Sequence, residues 1–74
     1  MKIRNLSVLS YAQGFTSWHY RAPEENLEEI LKTNFFLDAI DMLHHGDLIT
    51  ISCRDGVALR GVYNNRIVKL EPLV

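Results

Sequence analysis

A single cysteine, Cys53, in a chain of 74 residues is the feature that most narrows the folds open to this sequence. One cysteine cannot form a disulfide within the chain or build a cysteine-based zinc site. A chain this short buries only about 60% of its unfolded surface, and such a core rarely supplies more than roughly 3–5 kcal/mol. Association is the remaining common source of stability, so the sequence predicts a homo-oligomer.

The composition narrows the class of protein. Hydrophobic residues make up 47% of the chain, charged residues 23%, and the formal net charge is −1. These values argue against a disordered chain and against a strongly basic nucleic-acid-binding protein. No apolar run has the length of a signal-peptide core or a membrane span. We therefore expect a cytoplasmic protein that contacts no membrane, and nothing in the sequence predicts a cofactor.

The N-terminal part of the chain predicts strands. Residues 1–14 read as an arm or an edge strand, and the pair Gln13 and Gly14 marks a break. From Phe15 to Arg21 the residues alternate, with Trp18 and Tyr20 on the same side, which is typical of a half-buried strand. We expect residues 15–74 to form a single α+β domain.

The middle of the chain predicts two short helices. Pro23 followed by four glutamates suits the first turns of a helix that runs to Lys32. Thr33 or Asn34 can cap a second helix, in which apolar side chains recur on one face. That face consists of Phe36, Ala39, Ile40 and Leu43. Gly46 then occupies the position of a left-handed C-cap residue.

The remainder predicts a three-stranded antiparallel meander. Its strands are expected at Asp47 to Cys53, at Val57 to Tyr63 and at Ile67 to Leu70, with Pro72 ending the last. Asp55-Gly56 is a strong signal for a two-residue hairpin, and Asn64-Asn65 can supply positive φ at the next turn. The predicted fold is thus α+β: an N-terminal strand, two short helices and the meander, with a small open barrel as the alternative arrangement.

Several side chains could carry chemistry, but each has a structural explanation that we prefer. His44, His45 and Asp47 are close in sequence, and His19 could approach them to form a metal site. Adjacent histidines point about 100° apart on a helix, so we expect them to cap the helix end rather than to bind a metal. Cys53 lies at the end of an apolar strand, where a small buried side chain is expected. The chain is therefore predicted not to be an enzyme.

Charge is distributed unevenly along the chain. Seven of the nine acidic residues lie between Glu24 and Asp47, where Lys32 is the single basic residue. Basic residues predominate after Cys53, which suggests that acidic helices of one copy dock against basic strands of the next. The alternative is a nucleic-acid-binding sheet in which aromatic rings stack on bases and arginines hold phosphates. That site would use Arg54, Arg60, Tyr63 and Arg66.

The leading interpretation is a non-enzymatic binding module that self-associates or attaches to a larger particle. Exposed aromatic residues and arginines often anchor protein interfaces. The candidate contact residues are Trp18, Tyr20, Arg60, Tyr63 and Arg66. Protein partners and further copies of the chain are the expected ligands, ahead of nucleic acid.

About half of the chain carries a recognisable succession of motifs. A W-x-Y strand (Trp18 to Tyr20) is followed by an acidic helix, an F-x-x-A-x-x-x-L segment starting at Phe36, and G-D-x-I-x-I starting at Gly46. A polar turn, residues 54–56, comes next. This succession resembles small accessory proteins encoded beside structural genes in bacteriophages and prophages. The resemblance implies a virion-associated protein and supplies no catalytic residues. The chain lacks the longer C-terminal β region of many such proteins.

Overall fold

The computed structural model describes residues 1–72, in which five strands form one mixed sheet in the order β1-β2-β3-β4-β5. The strands are β1 (Leu6–Ala12), β2 (Phe15–Ala22), β3 (Leu48–Cys53), β4 (Gly56–Asn64) and β5 (Val68–Pro72). One short helix, α1 (Leu27–Ile30), and two 3-10 turns, at Ile3–Asn5 and Leu37–Ala39, are the helical elements of these residues. The predicted fold of two helices and a three-stranded antiparallel meander is therefore wrong.

Strands β2 and β3 are parallel, and this pairing shapes the molecule. Trp18 pairs with Ile49 and Tyr20 with Ile51, whereas all other strand pairs are antiparallel. A parallel pair requires the chain to return to the same end of the sheet. Residues 23–47 make this return and cover one face of the sheet, and we call them the crossover layer. Strands β3 to β5 follow one another as antiparallel neighbours, but within this larger sheet.

The core lies between the sheet and the crossover layer. Alternate residues of the strands face it, because successive side chains of a strand point to opposite faces. The largest fully buried side chains are Tyr20, Ile30, Phe36, Leu43, Ile49, Ile51 and Val68. The rings of Tyr20, Phe35 and Phe36 meet edge to face, with centroids 5.0–6.0 Å apart. The crossover layer therefore supplies four of the twelve buried hydrophobic side chains of the core without long helices.

The first predicted helix is much shorter than its acidic run suggested. Asn26 caps α1: its side chain accepts a hydrogen bond from the Glu29 N–H, and the Glu29 carboxylate accepts one from the Asn26 N–H. This capping box starts the helix four residues after Pro23 began the predicted one. The helix ends at Ile30. Four residues later, Asn34 has a φ of 68°, a left-handed conformation that a right-handed helix does not contain.

The second predicted helix is replaced by successive turns. The 3-10 turn Leu37–Ala39 lies in it, and its backbone bonds reach back three residues, for instance from Ala39 N–H to Phe36 C=O. Phe36, Ala39 and Leu43 are nevertheless buried, as their spacing predicted. Residues three and four apart share a face in tight turns as well as in a helix, so the periodicity identified the buried residues but not the conformation.

The turns between strands agree only in part with the turn residues expected from the sequence. Cys53 pairs with Gly56 across a two-residue loop, and Gly56 has φ +132°, which only glycine adopts readily. At the β4–β5 turn, however, the residue with positive φ is Arg66 (65°) rather than Asn64 or Asn65. Asn64 instead donates hydrogen bonds from its side chain to the carbonyls of Ile40 and Leu43. The amide thereby fixes the crossover layer to β4.

The small open barrel predicted from the three-stranded meander is also wrong, because those three strands belong to a five-stranded mixed sheet. Strand β1 lies at one edge and β5 at the other. Residues 73 and 74 of the predicted domain 15–74 lie outside the described residues. Over residues 1–72, none of the helices has the length and apolar character needed to cross a membrane.

Candidate functional site

Trp18 and Tyr20, two of the expected contact residues, point into the core. Trp18 is 7% exposed and Tyr20 is 0% exposed. The Trp18 indole N–H donates to the Asp47 carboxylate at 2.9 Å, and the Tyr20 hydroxyl accepts from the Lys2 N–H at 2.9 Å. Their polar atoms are thus satisfied inside the protein, so a contact surface has to be built from other residues. Burial also raises the pKa of Tyr20 above its ordinary value of 10.0.

The other three expected contact residues lie apart from one another. Arg60 is half-buried on the covered side of β4, and its guanidinium donates to the Leu59 carbonyl at 3.0 Å. Tyr63 faces the opposite side, with the Lys69 ammonium 5.0 Å from its ring centroid. Arg66 is exposed in the β4–β5 turn. Alternation along β4 separates Arg60 from Tyr63, so these residues do not form one patch.

Arginines proposed for nucleic-acid binding are also spread over the sheet. Arg54 lies in the β3–β4 turn and Arg66 in the β4–β5 turn, at opposite ends of β4. A strand of nine residues, Gly56–Asn64, is about 27 Å long at roughly 3.4 Å per residue. The structure therefore does not bring these arginines together around Tyr63.

Asp47 is a buried carboxylate with a full set of hydrogen-bond donors. It is 2% exposed. One oxygen accepts from the Thr16 N–H at 2.9 Å, and the other accepts from Trp18 Nε1 at 2.9 Å and from the His44 N–H at 3.0 Å. Burial alone would raise the pKa of Asp47, but these hydrogen bonds and the nearby His44 imidazole outweigh it and hold the pKa below its ordinary value of 3.8. Asp47 joins the end of the crossover layer to β2.

The histidines considered for a metal site do not converge. His44 Nδ1 is 3.9 Å from an Asp47 oxygen that already accepts two hydrogen bonds. His45 packs edge to face against Tyr63, with centroids 5.3 Å apart. His19 lies on the opposite face of β2 from Trp18, and its Nε2 is 2.8 Å from Ser52 Oγ. Within residues 1–72 no group of three or more His, Cys, Asp or Glu side chains is arranged to hold a metal ion.

The uncovered face of the sheet carries several side chains that were not among the expected contact residues. We call it the open face: it consists of the side chains that alternate with the core residues along the strands. Exposed or half-buried members are Phe15, His19, Ser52, Val57, Leu59 and Tyr63. Val57 is 74% exposed and Leu59 is 45% exposed. The alternation of side chains along β4 separates the two faces of the sheet in the sequence. It does not show which face is open, because that depends on the side that the crossover layer covers.

The two layers of the molecule carry opposite charge. The crossover layer contains seven acidic residues and one basic residue, and five of the acidic ones are exposed. The rest of the chain contains seven basic and two acidic residues. Arg21 and Lys69 lie on the open face, and Arg54 and Arg66 occupy turns that border it. The protein is thus acidic on the covered side of the sheet and mildly basic on the open side.

A cleft of about 520 Å³ lies between the N-terminal residues and the start of the crossover layer. Lys2 and Arg4 line one side, and Glu24 and Glu25 line the other. Charges of both signs meet there, so the cleft does not favour an anionic or a cationic ligand.

These features define the class: a small sheet-rich domain whose five-stranded mixed sheet is covered on one face by its own crossover and open on the other. No protein-family model, curated protein or solved structure matches this chain in comparisons.

Proposed function

We propose that this protein is a small non-enzymatic binding module that self-associates head to tail. The open face of one copy would contact the acidic crossover layer of the next. The observation that carries the proposal is the separation of charge between the two surfaces. The crossover layer has a net charge of −6. The open face and the turns that border it carry four basic residues and two acidic ones: Arg21, Arg54, Arg66 and Lys69 against Asp55 and Glu71. A contact between two different surfaces of identical copies repeats, and it produces rings or filaments.

Exposed apolar side chains on the open face support the same contact. Val57, Leu59 and Phe15 are exposed there, and such side chains gain free energy when a partner covers them, about 25 cal/mol per Å². The bordering arginines would orient the incoming acidic surface, since charge complementarity sets the orientation and speed of association more than its strength. Repetition of this contact suits a protein that coats or extends a larger particle. The resemblance to phage accessory proteins makes a virion one such particle and the cytoplasm the site of assembly.

Two variants with the same change in net charge test the proposed contact. Glu28→Lys adds positive charge to the exposed acidic layer and should weaken association up to roughly fivefold, because an exposed ion pair contributes about 0.2–1 kcal/mol. Glu71→Lys makes the same change on the open face and should leave association equal or stronger. Sedimentation at micromolar concentration in 50 mM and 500 mM NaCl measures both, and salt should weaken the wild-type assembly.

The same experiment defines what would contradict the proposal. Wild-type assembly that ignores salt, or equal weakening by both variants, would exclude the head-to-tail contact. A single-stranded oligonucleotide added at 50 mM NaCl provides a further comparison. Binding that is lost in Arg54→Ala and Arg66→Ala would assign the basic residues to nucleic acid instead.

A further inference from the structure

The two edges of the sheet differ in how they are protected against pairing. Strand β5 carries Lys69, Glu71 and Pro72, which are residue types that discourage another strand from adding to an edge. Strand β1 has the sequence Leu-Ser-Val-Leu-Ser-Tyr-Ala, with no charge and no proline, and six of its seven residues are exposed. Strand β1 pairs only with β2, so within residues 1–72 no strand pairs with its outer side, where an extended strand could add.

The chain around β1 is unusually free of charge. From Asn5 to Tyr20 there is no Asp, Glu, Lys or Arg, although 17 of the 74 residues are charged. Large apolar side chains are exposed in this stretch: Tyr11 is 79% exposed, Leu9 59% and Val8 40%. Two copies of this edge can approach each other without repulsion between like charges.

A bulge in β1 limits which strand can pair with this edge. Val8 pairs with Trp18 and Ser10 with Ser17, so Leu9 is the extra residue. A bulge bends its strand and increases the local twist. Because Leu9 is inserted, Ser7 and Ser10 lie on the same face of the sheet, opposite His19 and Ser17. A second copy of β1 has the same insertion and can therefore match this order of faces about a twofold axis beside the bulge. A partner strand without an inserted residue would match it on only one side of Leu9.

We propose that β1 pairs antiparallel with β1 of a second copy, about a twofold axis between Val8 and Leu9, to form a continuous ten-stranded sheet. Ser7 of each copy then lies opposite Ser10 of the other, and Val8 lies opposite Leu9. The partner is identified by the match of an uncharged, bent strand to itself. This pairing deepens the proposed self-association, but it uses an edge instead of the charged layers. It is therefore expected to survive high salt.

The experiment places charge on the paired edge in 500 mM NaCl, where the head-to-tail contact is suppressed. The variant Ser7→Lys/Ser10→Lys brings like charges opposite each other at two positions of the paired edge. Salt screens part of this repulsion, so dimerisation should weaken at least twofold. The matched control, Gln13→Lys/Thr33→Lys, adds the same charge at exposed positions outside β1 and should dimerise like the wild type. Sedimentation equilibrium from 10 to 300 µM measures the dissociation constants.

Amide hydrogen exchange of the wild-type protein tests the edge pairing without any substitution. Exchange within residues 6–12 should slow at least tenfold between dilute and concentrated samples in 500 mM NaCl, because pairing protects the outer amides. A monomer at every concentration in high salt, unchanged exchange, or a double variant that dimerises like the control would overturn the edge pairing. Salt-sensitive assembly in 50 mM NaCl would still be expected from the head-to-tail contact, so the two proposals can fail separately.

Discussion

Asp47 shows how one side chain can join distant parts of a small protein. Its three donors come from β2 and from the end of the crossover layer, and two of them lie 29 and 31 residues away in sequence. Carboxylates buried with several hydrogen-bond donors stay ionised. From the sequence, Asp47 was the first residue of a strand and a member of a candidate metal cluster. Its buried role could not be predicted, because its partners become neighbours only in the folded chain.

Asp47→Asn should destabilise the protein strongly. An amide replaces one carboxylate oxygen with an NH₂ group, which then faces an N–H donor instead of accepting from it. We expect the free energy of unfolding to fall by about 2 kcal/mol at pH 7, measured by urea denaturation. Asp41→Asn, at an exposed carboxylate, is the control and should change it by less than about 0.5 kcal/mol. Equal effects would contradict the structural role of Asp47.

The dependence of the free energy of unfolding on acidic pH should also be weaker in Asp47→Asn. The folded-state pKa of Asp47 lies below 3.8, so its ionised form stabilises the protein above that pH. This contribution is lost as the pH falls below 3.8 through the lowered pKa. Asp47→Asn should therefore show a shallower decline than the wild type as the pH falls below about 5. Identical declines would show that other carboxylates control acid unfolding.

At the scale of elements, apolar spacing predicted burial better than conformation. The strand expected from Phe15 to Arg21 is β2 (Phe15–Ala22), and the one expected from Asp47 to Cys53 is β3 (Leu48–Cys53). The helices differ because a 3.6-residue period also describes consecutive tight turns. Asn26 and Glu29 form a capping-box pattern that was present in the sequence and marks the true start of α1.

What could not be predicted is how the elements combine. The parallel pairing of β2 with β3 depends on the length and path of the crossover layer, which no local pattern encodes. The burial of Trp18 follows from that pairing, since the covered face is the one that Trp18 shares with Ile49. Three of the five expected contact residues, Trp18, Tyr20 and Arg60, therefore lie on the side that the crossover layer covers.

Two leucine substitutions test the packing of the crossover layer. Leu43→Ala removes a fully buried side chain and should reduce the free energy of unfolding by about 3 kcal/mol. Leu37→Ala makes the same chemical change at a residue that is 43% exposed and should cost less than about 1 kcal/mol. Urea denaturation compares them, and similar costs would show that the crossover layer is not packed as described.

The whole molecule combines a thin core with surfaces suited to contact. One crossover layer against one sheet leaves the open face and the β1 edge in solvent, and the principal extents are 32 × 28 × 24 Å. A domain this small has a low free energy of unfolding. Contacts with further copies would add stability, because binding to the folded state shifts the unfolding equilibrium.

The melting temperature should therefore depend on protein concentration. Raising the concentration from 5 to 500 µM in 50 mM NaCl should increase Tm by several degrees, since about 1 kcal/mol shifts Tm of a domain this size by roughly 4–8 °C. Differential scanning calorimetry measures the shift, and Glu28→Lys should reduce it. A Tm that is constant over this range would mean that association does not stabilise the fold.

The parallel seam between β2 and β3 also determines the order in which the protein can fold. Strands β1 and β2 are joined by two residues, and so are β3 and β4, so each hairpin can form locally and quickly. Joining the hairpins requires closing the 25-residue segment between Ala22 and Leu48, at an entropic cost of about 3 kcal/mol. We therefore expect the refolding rate to depend on the pairing of β2 with β3, the strand contact that closes the longest segment of chain.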